Sequence, residues 1–469
     1  MIELSSLGGA KMVTGSKHLL RTPRATILLE CGLFQGHRLE AYRRNHELPL
    51  EPANLDAVVL SHAHIDHSGA LPMLCKAGYD GPIYATAATR DLCAPMLLDA
   101  AMIQEADARH ISRMIERDHA AIEPARSLYS RQDAVQAVRQ MVAVSYHRRQ
   151  EIAPGVTLTF LDAGHVLGSA IVVLDIDDEG DRVRLAFTGD LGRHHLPILR
   201  DPEIPTGVHY LMMESTYGDR LHNPIERAGD ELAEVIERTY KRGGKVIIPS
   251  FALERAQELI YELKLLRDQG RLPASLKVYV DSPLTVKLTD VFKMHPDCYD
   301  AEAFALLTGG DSPFDFDGLT YVSEVSDSKA IDATPGPAII ISASGMCEGG
   351  RVLHHLRAAI GDPKNAIVIV GFQAQHTLGR RLVEKRSEVR IFGLTHYRAA
   401  EVVVLNGFSA HADQADLLRF AERVREHSPL RKVVLVHGEP EAQATLSEKL
   451  AERGFPSVVV PAIGDKVPL

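Results

Sequence analysis

Short apolar runs, each closed by a turn cluster, punctuate residues 1–208: ATILLE, AVVLSH, PIYAT, TLTFLD, IVVLDI and VRLAFTGD. These read as strands, and between them residues 87–142 carry apolar positions at helical spacing among many charges. From Leu211 the rhythm changes to strand, loop, helix. KVIIPS leads through FALER into AQELIYELKLL, KVYVDS into PLTVKLTDVFK, PAIIISAS through GMCEGG into RVLHHLRAAI, and AIVIVG through FQAQHT into LGRRLVEKR. Apolar strands that feed helices in this way predict a parallel, doubly wound sheet buried on both faces. Past Gly393 strands return in EVVVLNGFS and KVVLVHG, separated by one helix, DQADLLRFAERVREH. The expected organisation is an α/β domain over 1–208, a second α/β domain inserted at 209–394, and a completing segment at 395–469. DSPFDFD at 311–317 predicts a surface loop. The longest apolar stretches, such as 366–370, have strand length, so no membrane partner is expected.

A length of 469 residues agrees with two domains, and 45% hydrophobic with 24% charged residues describes a soluble globular chain. The net charge of −10 excludes a protein that coats nucleic acid through a general basic surface. It leaves room for a nuclease whose metal ions and local groove supply the positive field. Cys31, Cys75, Cys93, Cys298 and Cys347 form no CxxC pair, which argues against a disulfide framework and a cysteine zinc module. MIELSSLGGAKMVTGS has no basic segment leading into an apolar one, so a reducing cytoplasm is the expected location. Met212 and Met213 are expected in the core, and His194, His195, His354, His355, His376 and His396 mostly on surfaces or helices.

The densest chemistry is SHAHIDHSG, which packs His62, His64, Asp66 and His67 onto one short loop. Imidazole and carboxylate are ligand types that zinc prefers. His165 in DAGHVLGSA, Asp190 in FTGDLG and His437 in LVHGEP each follow an apolar strand directly. Taken alone, each is equally a buried or turn residue. In an α/β layer, however, loops at the carboxyl ends of strands converge on one edge. Seven nitrogen and oxygen donors exceed one tetrahedral zinc and suit two metals that share a carboxylate.

SHAHIDHSG, GHVLGSA and FTGDLG resemble the motifs of the metallo-β-lactamase superfamily. MESTYGDR, NGFSAHAD and VHGEP resemble the additional motifs of its β-CASP branch, which contains RNases and DNA nucleases. The chain is similar to the endonuclease of pre-mRNA 3′-end processing and its prokaryotic homologues. The resemblance implies an αββα sandwich carrying an inserted doubly wound β-CASP domain. It further implies two Zn²⁺ per chain, with Mn²⁺ as a substitute. His62, His64 and His165 would hold the first ion, Asp66, His67 and His437 the second, with Asp190 bridging. One departure is Glu30 in LLECGLFQG, where the family has Asp bracing the metal loop.

Phosphodiester hydrolysis needs a nucleophile, positive charge at the phosphoryl oxygens and a proton for the leaving oxygen. A two-metal-activated hydroxide meets the first two needs, with Asp66 orienting the water. His411 is not needed to complete the coordination, so general acid is the better role beside that of an additional metal ligand, and the resemblance implies Glu214 as its partner carboxylate. Ser250, Arg255, Ser344, Gly345 and Arg380 lie at strand-to-helix turns or helix starts where backbone N–H groups and guanidinium forks can hold phosphates. The expected substrate is single-stranded RNA, since a cleft between the domains would admit only a flexible strand. Internal cutting and 5′–3′ trimming both stay open, as does self-association. A compact form without KH-like modules is expected, because SHAHIDHSG comes early and the chain ends soon after VHGEP. The competing readings are a DNA nuclease of the same branch, a thioester or lactam hydrolase, and a catalytically silent scaffold.

Overall fold

In the computed structural model, strand Tyr210–Glu214 is buried at every position, and its side chains divide by period two between two cores. Tyr210 and Met212 join Leu4, Leu20, Ile27, Val59, Phe160, Val172 and Val434 in one of them. Leu211 and Met213 join Ile171, Val433, Leu417, Leu446 and Leu450 in the other. Residues 2–36, 38–117, 126–178, 180–223, 225–371, 373–374 and 376–469 are described. The chain forms two compact units. The first comprises Met1–His194, Asp201–Leu221 and His411–Leu469, and the second His195–Arg200 and His222–Ala410.

The first unit is two seven-stranded sheets face to face around the core that receives Met212. One runs in the order Lys466–Pro468, Glu3–Gly8, Lys17–Arg21, Thr26–Leu29, Ala57–Val59, Ile83–Ala85, Met141–Ala143. The other runs Val458–Val459, Lys432–Val436, Tyr210–Glu214, Asp181–Phe187, Ala170–Asp178, Val156–Asp162, Gln150–Ala153. Helices Gln414–Glu426 and Pro440–Glu452 cover the outer face of the second sheet. Helices Leu71–Lys76, Ala87–Arg117 and Arg131–Arg139 pack together beside the first. This is the αββα sandwich. Asp413 and Asp416 close a capping box that starts helix Gln414–Glu426 just after His411.

The second unit is a six-stranded, wholly parallel sheet in the order Leu319–Val322, Lys277–Asp281, Ala338–Ser342, Lys245–Pro249, Ala366–Ile369, Glu401–Val404. The inserted sheet is therefore of the expected doubly wound kind. The division points differ from those read in the sequence, 209 and 394. Strand Tyr210–Glu214 pairs in parallel with Lys432–Val436 and so belongs to the first unit. Strand Glu401–Val404 pairs with Ala366–Ile369 and belongs to the second. Apolar strands look alike in either sheet, so only the pairing separates them. The 311–317 loop is also more than surface, because Phe314 is fully buried against Phe292 and Tyr299. Among the described residues no helix is long and apolar enough to cross a membrane.

His355, expected on a surface or helix, sits on helix Val352–Ala359 but is fully buried. Its Nε2 lies 2.7 Å from Asp281 Oδ2 and its Nδ1 2.7 Å from Asp332 Oδ1. Ser328 and Arg351 also donate to Asp281, and Ser342 to its carbonyl. Burial alone would lower the His355 pKa. The hydrogen bonds and charges of the two aspartates outweigh it and raise the ring to about 9. Burial pushes Asp281 up, but His355, Ser328 and Arg351 hold it below the usual carboxylate value.

A folded pKa above the unfolded value, ~6.5, gives stability that is complete below ~6.5 and lost as pH rises through the folded value. Denaturant unfolding of the wild type should therefore weaken between pH 6.5 and about 9. His355→Leu should cost roughly 1–3 kcal/mol at pH 6, since it removes charged hydrogen bonds to Asp281 and Asp332 while Arg351 still pairs with Asp281, and should flatten that decline. Wild-type stability that stays level from pH 6.5 to 9 would show that the ring is not charged in the fold.

Candidate metal centre

Strands Thr26–Leu29 and Ala57–Val59 run parallel in register Leu29↔Val59, which carries Glu30 alongside Ser61. Glu30 Oε1 accepts from Ser61 N–H at 2.7 Å. Its Oε2 accepts from Ser61 Oγ at 3.1 Å and from His67 Nδ1 at 2.7 Å. The chain then passes so close to the metal loop that a Cβ on Gly32 would collide with the carbonyl of Asp66. Cys31 N–H donates to His67 O at 2.7 Å, and Ser16 N–H to Asp66 O at 2.9 Å. The HxHxDH loop is thus fixed by backbone and carboxylate before any metal is considered.

His62 Nε2 lies 3.1 Å from His64 Nδ1, which lies 3.3 Å from His165 Nε2. His165 sits between Gly164 and Gly168, both with positive φ, and its N–H donates to Ser169 Oγ at 3.0 Å. On the other side His67 Nε2 lies 3.3 Å from His437 Nε2, and Asp66 Oδ2 is 3.5 Å from that same nitrogen. His437 ends strand Lys432–Val436 with φ 49°, held by its N–H to Gly9 O at 2.6 Å. Between the two groups lies Asp190. Its Oδ2 is 3.6 Å from His62 and from His165, and 3.4 Å from His67; its Oδ1 is 3.2 Å from His437 Nδ1.

Donor atoms of His62, His64, His165 and Asp190 all lie within 4.8 Å of one another, as do those of Asp66, His67 and His437. His64 Nδ1 faces two ring nitrogens and can share a proton with at most one of them, so lone pairs converge there. Burial, aided by neighbouring imidazoles, lowers the pKa of His62 and His165, and burial also lowers His64 to about 4. Neutral imidazole is the form that binds metal. Asp190 Oδ1 is buried without a well-directed hydrogen bond. Against burial, the imidazoles of His437, His67 and His62 drive the Asp190 pKa far down, so the carboxylate is charged. Neutral nitrogens converging beside an under-bonded carboxylate fit divalent cations of the zinc type.

His411 is brought here by an isolated antiparallel bridge to Gly192 and by Ala412 N–H donating to Leu191 O at 2.8 Å. Its Nδ1 lies 3.3 Å from Glu214 Oε1, which also accepts Leu191 N–H at 2.6 Å. Burial opposes the charged ring, but Glu214, Asp190 and Asp66 raise its pKa to about 9. The His411 side chain is 23% exposed and that of Asp66 21%, whereas His62, His67, His165, Asp190 and Glu214 are closed. The open side of the cluster is therefore a proton donor beside a carboxylate.

All nine of these residues come together. The five residues expected to hold phosphates lie in the second unit. Ser250 is buried and donates to Phe251 O at 3.0 Å; Ser344 Oγ accepts from Glu348 N–H at 3.2 Å. Gly345 lies against Phe251, and Arg380 is half-exposed with Nε 3.0 Å from Glu384. Arg255 differs from expectation: it is buried and its guanidinium is committed to Glu258 one turn on. Sequence reasoning missed Ser61 and Thr216, whose hydroxyls lie 2.9 Å from His62 Nδ1 and 3.2 Å from His437 Nδ1. Both sit at the end of an apolar strand next to a motif residue, the one signal that could have found them.

Family profiles match the chain in three places. They are the metallo-beta-lactamase superfamily domain over residues 19–186, the Beta-Casp domain over 256–382, and the Zn-dependent metallo-hydrolase RNA specificity domain over 396–461. Ribonuclease TTHA0252 of Thermus thermophilus is 37% identical over 463 residues, spanning 98% of this chain and 99% of the relative. Transcription termination factor FttA of Methanocaldococcus jannaschii is 32% identical over 448 residues, spanning 93% of this chain and 67% of the relative. A solved structure of a protein of unknown function from Enterococcus faecalis shares the fold, with TM-score 0.56 at 13% identity and full coverage of both chains.

The clamp on the metal loop makes a direct prediction. Glu30→Ala leaves Ser61 and His67 without their acceptor and should weaken zinc binding roughly 10–100-fold in a chelator competition. Gly32→Ala should displace Asp66 and lower the zinc content per chain measured by elemental analysis. Wild-type zinc content and affinity in both variants would mean the clamp is irrelevant to the site.

Proposed function

The chain belongs to the β-CASP branch of the metallo-β-lactamase superfamily, and on that premise we propose that it is a zinc-dependent ribonuclease cutting phosphodiester bonds of single-stranded RNA. The observation that carries this reading is His411, a carboxylate-held imidazole standing on the open side of a seven-donor cluster. RNA as substrate is supported by the matched RNA specificity domain and by the ribonuclease relative. The net charge of −10 gives no general hold on a duplex, which favours a strand threaded into a local site.

His62, His64 and His165 would hold one zinc and Asp66, His67 and His437 a second, with Asp190 between them. Such a pair supplies an acidified water and positive charge for the phosphoryl oxygens. Asp66, at the open edge, orients the attacking water. His411 delivers a proton to the leaving oxygen, and Glu214 keeps that proton on the ring and the ring in place. Glu214 is itself pinned by Leu191 N–H, so the donor's aim is set by the backbone.

The test is incubation of 5′- and 3′-labelled single-stranded RNA with the protein and Zn²⁺ or Mn²⁺, with a duplex control. The product ladders also give the polarity of cutting. Wild type should cleave. His411→Ala should keep its zinc content and lose roughly 10²–10⁴-fold in rate, the worth of a general acid. Asp66→Ala should lose both zinc and activity. If wild type cuts no RNA, the ribonuclease reading fails. Lactam or thioester hydrolysis that survives His411→Ala would point to a small-molecule hydrolase instead.

A further inference from the structure

One stretch of the second unit runs against the acidic balance of the chain. Residues 380–398 carry Arg380, Arg381, Lys385, Arg386, Arg390 and Arg398 against Glu384 and Glu388. Arg380 and Arg386 both lean on Glu384, at 3.0 and 2.9 Å, and thus share one negative charge. Arg381 and Arg398 donate to backbone carbonyls, which neutralise nothing. Among the described residues Lys385 and Arg390 have no carboxylate partner. The stretch is a concentrated positive surface on a protein whose net charge is −10.

Its centre is a hairpin, strands Glu388–Ile391 and Leu394–Tyr397, seated by Val389 and Ile391 in the core of the unit. The register Glu388↔Tyr397 and Arg390↔Thr395 puts those four residues on the opposite, outward face, where Glu388 is the one carboxylate. The two-residue loop holds Phe392 at φ 52° and Gly393 at φ 77°. Such a loop favours Asn or Gly at its first position. A phenylalanine there is strained and yet 48% exposed, with Arg357 5.4 Å from its ring centre and the His354 ring 4.7 Å away. Tyr397 is 73% exposed. Neither the strain nor the exposure serves the core.

Unpaired cations next to open aromatic rings suit a single nucleic-acid strand, since cations take phosphates and any base can stack on a ring. An apolar protein partner would leave Lys385 and Arg390 buried without a counter-charge. We propose that this hairpin is an RNA contact of the second unit, taking phosphates on Lys385 and Arg390 and bases on Phe392 and Tyr397. The proposal rests on the ribonuclease reading.

Binding of a 30-nucleotide single-stranded RNA is measured by fluorescence anisotropy across a salt series, in the full chain carrying His411→Ala so that the RNA survives. Lys385→Gln with Arg390→Gln should reduce the slope of log affinity against log salt by about 1.4, or about 0.7 per charge. Phe392→Gly, which relieves the positive φ and so preserves folding, should weaken binding roughly tenfold at every salt concentration. With His411 intact, the same substitutions should raise KM for long RNA and leave kcat unchanged. Cleavage by wild type together with unaltered binding by both variants overturns the hairpin contact alone. Absence of cleavage by wild type overturns the ribonuclease reading instead. Variants that change the mass in solution, or adsorption to phosphatidylserine vesicles, at unaltered RNA affinity would assign the hairpin to self-contact or lipid and end the proposal.

Discussion

The buried carboxylate of Asp190 is the charge around which the first unit is arranged. It stands within 4 Å of ring nitrogens from His62, His67, His165, His437 and His411. An ion of this kind costs several kcal/mol to bury and survives only with compensation on every side. Its neighbours respond unequally. His62 and His165 are pushed towards the neutral form, whereas for His67 the charges of Asp190 and Asp66 overcome burial and raise the pKa. Asp190 favours the charged form of each of these rings, and for His62 and His165 burial and the neighbouring imidazoles outweigh it. His62 and His67 share one loop, while His165, His437 and His411 come from three other segments, so the sandwich is what delivers them to a single anion.

The residues that could be read in advance share a property: each follows an apolar strand and stands in a polar, small-residue turn. That pattern singled out His165, Asp190 and His437 without any knowledge of pairing, because strand ends must gather at a sheet edge. What could not be read depends on contacts between distant segments. Whether EVVV at 401–404 joins one sheet or the other is decided by its hydrogen bonds to Ala366–Ile369, and no local feature records them. His355 looked like a surface helix residue because the carboxylates that bury it, Asp281 and Asp332, are remote in sequence. Arg255 shows the converse case. A cation at a helix start suggests phosphate, but Glu258 sits one turn on and claims it inside the fold.

In the second unit cations and backbone donors occupy different places. The turns after strands Ala338–Ser342 and Ala366–Ile369 are cross-tied by Gln373, whose Nε2 donates to Gly345 O at 3.1 Å and Gly371 O at 3.2 Å. Glu348 Oε1 caps Leu378 N–H at 2.6 Å in the same region. With Arg255 paired to Glu258, this edge presents hydroxyls, glycine backbone and the exposed ring of Phe251 and little free positive charge. Attraction over distance needs net charge, and the unit concentrates that on the 380–398 stretch.

Glu30 settles what the longer side chain does in place of aspartate. Its φ of 65° is unfavourable for a residue with a Cβ, by roughly 1–2 kcal/mol. That turn of the backbone aims the carboxylate at three donors, Ser61 N–H, Ser61 Oγ and His67 Nδ1. Hydrogen bonds to a charged group contribute roughly 1.5–3 kcal/mol each, so the strain is offset more than once. Burial raises the Glu30 pKa, and the hydrogen bond and charge of His67 offset only part of that rise. The consequence reaches the metal side. With Nδ1 committed to Glu30, Nε2 of His67 faces Asp66, Asp190 and His437 and is the nitrogen that would give up its proton to hold a metal. The added methylene therefore does not loosen the loop. It lets one carboxylate outside the cluster select the tautomer inside it.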